Sequence, residues 1–273
     1  ERAMKQLTDA GVAALLTHPE LPALESLHFM GVNITDATVR AVVSSPKSRS
    51  LSELSFGFAP LGDAGIEAIA AWPSLATVQT VGFDKTGATV TGLKALAEGP
   101  YGQDLPGLNL NWQAVGDEGA VLLSKTAIRG PLSLKDSGVR GEGARALISR
   151  APSPSLNLQD NPIGPGGLVG LEAIGEGLEG LTLNDCQLGP EDIVALSSLR
   201  APASFISLSL ARGQYGDAGL RALAGSPWLS QLQHLYIDTD ASDAAENELR
   251  SAWGERKGLG LGGVWTEDPA PRK

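Results

Sequence analysis

The sequence predicts an α/β solenoid, a curved horseshoe with a parallel β-sheet on its concave face and helices on its convex face. Two observations predict it. A short apolar motif typical of a strand returns at a nearly constant spacing, and a helical apolar pattern follows most of its copies. One such unit cannot bury its apolar face alone, so we expect the units to stack and bury it against one another.

The strand half of the unit has the pattern apolar-x-x-apolar-x-apolar. Its first four copies begin at residues 24, 51, 78 and 105, a spacing of 27 residues each time. The apolar positions persist in five further copies that begin near residues 129, 153, 178, 205 and 232. Alternating apolar residues are typical of a strand with one buried face, so the sequence predicts nine strands.

The helix half of the unit follows each strand. The segments "LGDAGIEAIA" (61–70), "VGDEGAVLL" (115–123) and "YGDAGLRALA" (215–224) show it best. Apolar pairs at helical spacing, such as Ile66/Ile69 and Leu168/Leu171, predict a helix stripe packed against the sheet. Aspartates at the helix starts are expected to accept hydrogen bonds from unpaired backbone N–H groups. These aspartates are Asp9, Asp36, Asp63, Asp117 and Asp217.

The pattern also predicts the organisation of the chain. Residues 1–240 are predicted to form the solenoid of about nine repeats. We expect it to start in mid-repeat, as a piece of a longer protein, because the sequence begins with Glu1 and not with Met, and its first segment fits the helix half of a unit. Residues 241–255 predict a capping helix with Leu249 and Trp253 four apart. Residues 256–273 are rich in Gly and Pro and are expected to form a mobile tail. Within them "GLGLGG" (258–263) lacks the strand and helix that a dinucleotide-binding loop needs.

These motifs resemble the ribonuclease-inhibitor-like class of leucine-rich repeats, in its bacterial type. The resemblance covers about residues 3 to 240. The chain departs from the class at the ladder position, three residues after each strand, where Asn or Cys is usual. Only Asn161 and Cys186 match, and the other residues there are Val32, Ala59, Thr86, Gln113, Ser137, Gly213 and Asp240. We therefore expect an irregular convex loop instead of an ordered asparagine ladder.

Composition argues against several classes of protein. The net charge of −10 disfavours nucleic-acid binding, which depends on Lys and Arg at the phosphates, and disfavours a basic membrane-surface protein. No apolar run approaches the roughly 20 residues that a membrane helix needs. The single cysteine cannot form an intrachain disulfide, which favours a reducing compartment and a cytoplasmic protein.

Recognisable catalytic motifs are absent from the sequence. The histidines His18, His28 and His234 are not at metal-ligand spacing, and no phosphate-loop or nucleophile-elbow motif occurs. Cys186 occupies an inward ladder position, so we expect a buried thiol and not a nucleophile. The sequence therefore predicts a protein that is not an enzyme and needs no cofactor or metal.

The exposed residues at and just after each strand are the candidate partner-binding residues, because strand side chains alternate between the two faces. They are Phe58, Asp84, Lys85, Trp112, Asp136, Asp160, Asp185, Arg212 and Tyr236. Phe58 and Trp112 fit a binding hot spot, and packing under a loop edge accounts for them equally well. The run Asp136, Asp160 and Asp185 indicates either a partner with a basic surface or a solvated acidic edge.

The interpretation that the sequence favours is an interaction module that binds a protein partner through the concave face. The resemblance implies two alternatives. Some proteins of this repeat class stimulate small GTPases, and Arg212 is the only arginine on the mapped face. Bacterial effectors of this class use the solenoid as the substrate-recognition arm of a larger enzyme of the ubiquitin-ligase type.

Overall fold

The computed structural model describes residues 7–31, 33–238 and 240–261. It confirms the α/β solenoid. Ten parallel strands form one open sheet in the order in which they occur along the chain, and the helices lie between successive strands. The strands are β1 Ser26–Met30, β2 Glu53–Gly57, β3 Thr80–Asp84, β4 Gly107–Asn109, β5 Leu132–Ser133, β6 Ser155–Asn157, β7 Gly180–Thr182, β8 Ser207–Leu210, β9 His234–Ile237 and β10 Leu259–Leu261.

Equivalent residues of successive repeats are paired in the sheet. Leu27 is paired with Leu54, Leu54 with Val81 and Val81 with Leu108, and the register continues in the same way to β9. The spacing of the apolar residues therefore sets the register, because a slip of one residue would turn the apolar side chains out of the core.

Nine α-helices cover one face of this sheet. They are α1 Asp9–Thr17, α2 Asp36–Ser44, α3 Gly62–Ala70, α4 Val90–Glu98, α5 Gly116–Leu123, α6 Gly141–Arg150, α7 Pro190–Ser197, α8 Gly216–Ala224 and α9 Asp243–Trp253 within the described ranges. Short 3-10 helices occupy Pro46–Ser48, Pro73–Ala76 and Leu229–Gln231.

The core is a continuous layer between the helices and the sheet. Its first repeats stack the rings of Phe29, Phe56 and Phe83, with centroids 5.4 and 6.5 Å apart. Leucine or, in β9, isoleucine occupies the equivalent position in later repeats and is also buried. Each fully buried Leu or Phe side chain stabilises the fold by about 1.5–3 kcal/mol, so the stability is spread along the solenoid.

The helix predicted around Leu168 and Leu171 is wrong. Turns occupy this segment, and Gly164, Gly166 and Gly170 have φ values of 79°, 76° and 86°. Left-handed glycines interrupt the helical hydrogen-bond ladder, so the segment cannot continue as an α-helix. Leu168 and Leu171 are nevertheless buried. Along the chain the segment lies between α6 and α7, where the other repeats have an α-helix.

The predicted mobile tail is wrong for its first residues. Leu259–Leu261 form β10, which is paired in parallel with β9. The Arg256 guanidinium donates to the backbone carbonyls of Leu229, Ser230 and Leu232 and lies 4.1 Å from the centre of the Trp253 ring. These contacts hold residues 256–261 against the last repeat. The rest of the predicted tail, residues 262–273, lies outside the described residues.

Helix α9 covers the end of the helix layer. It packs against α8, and its residues Leu249 and Trp253 are buried. The indole N–H of Trp253 donates to the carbonyl of Arg256 at 3.0 Å. The segment predicted to cap the solenoid therefore buries its two large apolar side chains.

Four consecutive ladder positions are ordered, although they do not form an asparagine ladder. At each of these four positions, a buried side chain donates a hydrogen bond to a strand carbonyl of the preceding repeat. The donor–acceptor pairs are Gln113–Phe83, Ser137–Leu110, Asn161–Leu134 and Cys186–Leu158. Four residue types satisfy the same carbonyls, so the ladder needs a donor of suitable reach and not asparagine itself. Val32, the first ladder residue, lies outside the described residues.

Four of the five aspartates at the helix starts cap the following helix and not their own. The Asp63 carboxylate in α3 accepts from the backbone N–H of Thr89 at 2.7 Å, from its hydroxyl at 2.8 Å and from the N–H of Gly92 at 3.1 Å. Asp9, Asp117 and Asp217 bind the starts of α2, α6 and α9 in the same way. Each of these carboxylates therefore ties two neighbouring repeats together.

Candidate functional site

Each of the strands β1 to β8 passes into its loop through one residue with a positive φ. We call these residues the edge column. They are Gly31, Phe58, Lys85, Trp112, Asp136, Asp160, Asp185 and Arg212, with φ between 47° and 62°. Seven of the nine candidate residues from the sequence therefore share one backbone conformation at one edge of the sheet.

Hydrogen bonding explains why the edge column is regular. The backbone N–H of Phe58 donates to the carbonyl of Asp84 at 2.8 Å, and that of Lys85 donates to Asn111 at 2.9 Å. The same bond recurs from Trp112 and from the three aspartates of the column. Pairing with the next repeat thus extends one residue beyond the strand, and the left-handed residue then turns the chain into the loop.

Two aromatic rings of the edge column contact each other. The ring centroids of Phe58 and Trp112 are 5.9 Å apart with an angle of 39° between the planes. The side chains are 46% and 40% exposed, so the rings are not packed beneath a loop. The ammonium group of Lys85 lies 5.7 Å from the centre of the Phe58 ring, and that of Lys135 lies 5.7 Å from the Trp112 ring.

An open groove of about 810 Å³ surrounds this pair. Phe58, Lys85 and Trp112 line it together with the strand-to-helix loops at residues 59–62, 86–89 and 113–114. All of these residues lie beyond the strand ends. The groove therefore opens at the edge of the sheet, where the strands pass into their loops.

The acidic run of the edge column is partly neutralised. Asp160 forms an ion pair with Lys135 at 3.1 Å, and Asp185 forms one with Arg212 at 3.4 Å. Asp136 is exposed, and among the described residues it has no ion-pair partner. The three carboxylates are therefore not a bare acidic strip, because in the described part of the chain only Asp136 of the three forms no ion pair.

The two remaining candidate residues lie outside the edge column. Asp84, at the end of β3, is half-buried, and its carboxylate accepts from the backbone N–H of Asn111 at 3.2 Å. Burial raises the pKa of Asp84 above its ordinary value despite this bond. Tyr236 lies within β9, five strands beyond the repeat of Trp112, which is about 24 Å at the usual strand spacing. The structure does not bring Tyr236 to the groove.

Lys135 lies beside the groove, with its ammonium group near the Trp112 ring, and the candidate set missed it. Asn111 positions its backbone, because the Asn111 side-chain oxygen accepts from the Lys135 N–H at 2.9 Å and from the Ser133 hydroxyl at 2.7 Å. Asn184 makes the equivalent pair of bonds to Ser209 and Ala211. The signal in the sequence was the position of Lys135 directly before Asp136, one repeat after Trp112.

A second groove of about 510 Å³ lies along the same edge. Asp185 and Arg212 line it with Gln187, Glu191 and Gln214. Polar and apolar groups line it about equally, and its described lining contains charged side chains of both signs in place of an aromatic pair. The edge column therefore connects a groove with two aromatic rings to a groove with acidic and basic side chains.

Other kinds of site find no support in the described ranges. No three His, Cys, Asp or Glu side chains there are grouped so that they could hold a metal ion. None of the described helices has the length and apolar character needed to cross a membrane. The Cys186 thiol is buried, and its sulfur lies 3.0 Å from the carbonyl oxygen of Leu158.

Comparisons with known proteins agree with the repeats seen in the structure. Residues 47–70 and 155–171 match a family model described as Leucine Rich repeat. A search of curated proteins gives no match. A chain of the yeast Rad7 and Elc1 complex is similar at 17% identity and a TM-score of 0.36, over 95% of this chain and 85% of that chain. The matched segments lie in two of the repeats, and the open, all-parallel ten-stranded sheet has the architecture of a leucine-rich repeat solenoid.

Proposed function

We propose that this solenoid is a protein-interaction module and that the groove around Phe58, Lys85 and Trp112 is its main contact surface. The observation that carries the proposal is the pair of exposed aromatic rings at left-handed positions of the edge column. A left-handed conformation costs a residue with a side chain about 1–2 kcal/mol, and it is least suited to bulky residues. Neither ring recovers this cost through deep burial.

Exposed aromatic residues next to cations are typical of binding hot spots. Trp, Tyr and Arg dominate such sites because they combine large apolar area with polar or charged groups. Here two rings contact each other, and one lysine lies near each ring. A partner that covered the rings would bury apolar area that is now in contact with water, and this would favour binding.

The proposal places the contact surface among the residues that the sequence marked as candidates. The partner contacts the edge of the sheet at Phe58, Lys85 and Trp112, and the contact extends along the edge column over Asp136, Asp160 and Asp185. Arg212 is held by Asp185 at 3.4 Å, so the edge supports an interaction surface better than a GTPase regulator with an available arginine.

Two further assignments are part of the same proposal. We place the chain in the ribonuclease-inhibitor-like class because α-helices and not only 3-10 turns connect most of its strands. We also propose a reducing compartment such as the cytoplasm, because its one cysteine is an unpaired buried thiol. A binding role fits that thiol better than a catalytic one.

Differential affinity capture tests the proposal. The wild-type chain, a Phe58→Ala/Trp112→Ala variant and a Val194→Ala variant serve as baits, and captured proteins are quantified by mass spectrometry. Val194 is a matched control because it is 44% exposed on α7, away from the groove. We expect a partner that the wild type and the control retain equally and that the double variant loses.

The captured partner is then purified and its affinity is measured by titration calorimetry. Loss of each hot-spot ring weakens binding by at least about 30-fold, since such a truncation costs about 2 kcal/mol or more, and loss of both rings should weaken it further. Equal affinity of the double variant and the wild type for every captured protein would show that the groove is not the contact surface.

A further inference from the structure

We propose that the edge column binds an extended peptide segment that carries an acidic, an apolar and a basic residue, facing Lys85, Trp112 and Asp136 in that order. This inference rests on the proposed function, since it uses the same groove, and it adds the chemistry of the partner. It follows from the charges and the spacing of the edge column.

Two charged side chains of the edge column form no ion pair with any described residue. The column contains Lys85, Asp136 and two ion-paired aspartates, Asp160 with Lys135 and Asp185 with Arg212. Lys85 and Asp136 are exposed, and neither has an ion pair with any residue in the described part of the chain. The nearest aromatic group to the Lys85 ammonium is the Phe58 ring at 5.7 Å, which leaves its charge uncompensated.

The apolar part of the groove lies between these two charges. Trp112 occupies the repeat between Lys85 and Asp136, and its ring meets that of Phe58. Pro60 and Ala88 from the neighbouring loops add apolar lining. A partner residue located between the two charged positions would therefore meet the exposed rings, where an apolar side chain is favoured over a charged one.

The spacing suits an extended polypeptide. Lys85 and Asp136 are two strand steps apart, which is about 10 Å at the usual spacing of about 4.8 Å. Three residues of extended chain at about 3.3 Å each cover the same distance. The segment thus carries its acidic residue at one position, its basic residue three positions away and an apolar residue between them.

Mixed charge selects this kind of partner over a uniformly charged one. A partner that is negative throughout would meet Asp136 as well as Lys85, and one that is positive throughout would meet Lys85 as well as Asp136. Like charges placed opposite each other disfavour association, so the edge column discriminates by the order of the charges.

Peptide selection on the whole chain tests the inference. A phage library of random 12-residue peptides is selected on the wild type, on Lys85→Glu and on Asp136→Lys. Lys125→Glu and Glu118→Lys are the matched controls, because they make the same changes in net charge at exposed residues around α5. Circular dichroism and the thermal midpoint confirm that each variant is folded.

We expect wild-type peptides to carry the acidic, apolar and basic residues in the stated order and spacing. A synthetic peptide of that pattern should lose at least tenfold in affinity on Lys85→Glu, and replacing its acidic residue with lysine should restore binding to that variant. The reciprocal change should restore binding to Asp136→Lys. Both controls should bind like the wild type.

Two results would overturn the inference, and they differ in what they say of the groove. If the selected peptides need Trp112 but show no charge order, or keep their affinity on both charge variants, the partner chemistry is wrong and the contact surface stands. If no selected peptide loses affinity on Phe58→Ala/Trp112→Ala, the contact surface is wrong as well.

Discussion

The indole ring of Trp112 lies against the phenyl ring of Phe58 at a centroid distance of 5.9 Å, although a whole repeat separates the two residues. The period of 27 residues places equivalent positions in one column along the edge of the sheet. Two large side chains can therefore meet across Lys85. The contact belongs to the surface and not to the core, and this decides what its removal does.

Truncation of these rings is expected to affect binding more than stability. We expect Trp112→Ala and Phe58→Ala to lower the free energy of unfolding by about 1 kcal/mol or less each, with a coupling of about 0.5–1 kcal/mol between them. Urea unfolding of the two single variants and the double variant measures both quantities. Phe56→Ala is the contrast, because this ring is fully buried and its loss costs about 3–5 kcal/mol. A cost for Trp112→Ala as large as that of Phe56→Ala would mean that the ring is structural.

The carboxylate of Asp63 is expected to stabilise the junction between α3 and α4. Asp63→Ala leaves the backbone N–H groups of Thr89 and Gly92 without their acceptor, and loss of such a cap costs about 0.5–2 kcal/mol. Asp36→Ala is the control, because Asp36 forms an i,i+4 ion pair with Arg40 and, among the described residues, no hydrogen bond to the next helix. Urea unfolding should show a clearly smaller loss for Asp36→Ala, and equal losses would contradict the capping role.

The same carboxylates predict a loss of stability in acid. Burial raises the pKa of Asp63, but the hydrogen bonds from Thr89 and Gly92 outweigh it and hold the pKa below its ordinary value, and Asp9 behaves in the same way. The unfolded chain therefore binds protons first, near pH 4, and the stabilisation is lost as the pH falls through the lower folded pKa. Thermal midpoints between pH 6 and pH 2 measure this. The decline should be shallower in Asp63→Asn, and an identical decline would exclude Asp63 as a cause.

The thiol of Cys186 is expected to be unreactive while the chain is folded. Burial raises its pKa to about 12, and the nearby charges of Asp160 and Asp185 add to the effect. Because the thiolate is the reactive species, a chromogenic disulfide reagent at pH 8 should modify the unfolded chain quickly and the native chain only as fast as it opens. Rapid modification of the native chain at the rate found in denaturant would contradict the buried ladder position.

Backbone conformation leads us to expect opposite changes in stability when two glutamines of the second groove are replaced by glycine. Gln187 has a φ of 57°, so Gln187→Gly relieves a left-handed side chain and is expected to raise stability by up to about 1 kcal/mol. Gln214 lines the same groove without a positive φ, so Gln214→Gly should lower stability by about 0.5–1 kcal/mol. Urea midpoints of the two variants compare them directly. A loss of stability in both variants would show that the left-handed φ of Gln187 does not lower the stability of the wild type.

The sequence by itself determined the repeat, its register and the inward positions. The nine strands begin where the apolar pattern placed them, to within a few residues, and the paired leucines are buried. Phe58 and Trp112 could be recognised as exposed for the same reason. The apolar motif returns every 24 to 27 residues. Within each copy, the alternation of apolar and polar residues is enough to separate the inward from the outward side chains.

The tertiary structure decided everything that depends on the contact between one repeat and the next. It made β10 from Leu259–Leu261, because β9 offers a strand edge that a short Gly-containing segment can pair with. In the stacked repeats Asp63 binds the start of the next helix, and four different residue types donate at the ladder positions. The ring of Trp112 contacts the ring of Phe58. These relationships join residues 24 to 54 positions apart, and their distances and partners arise only once the repeats are stacked.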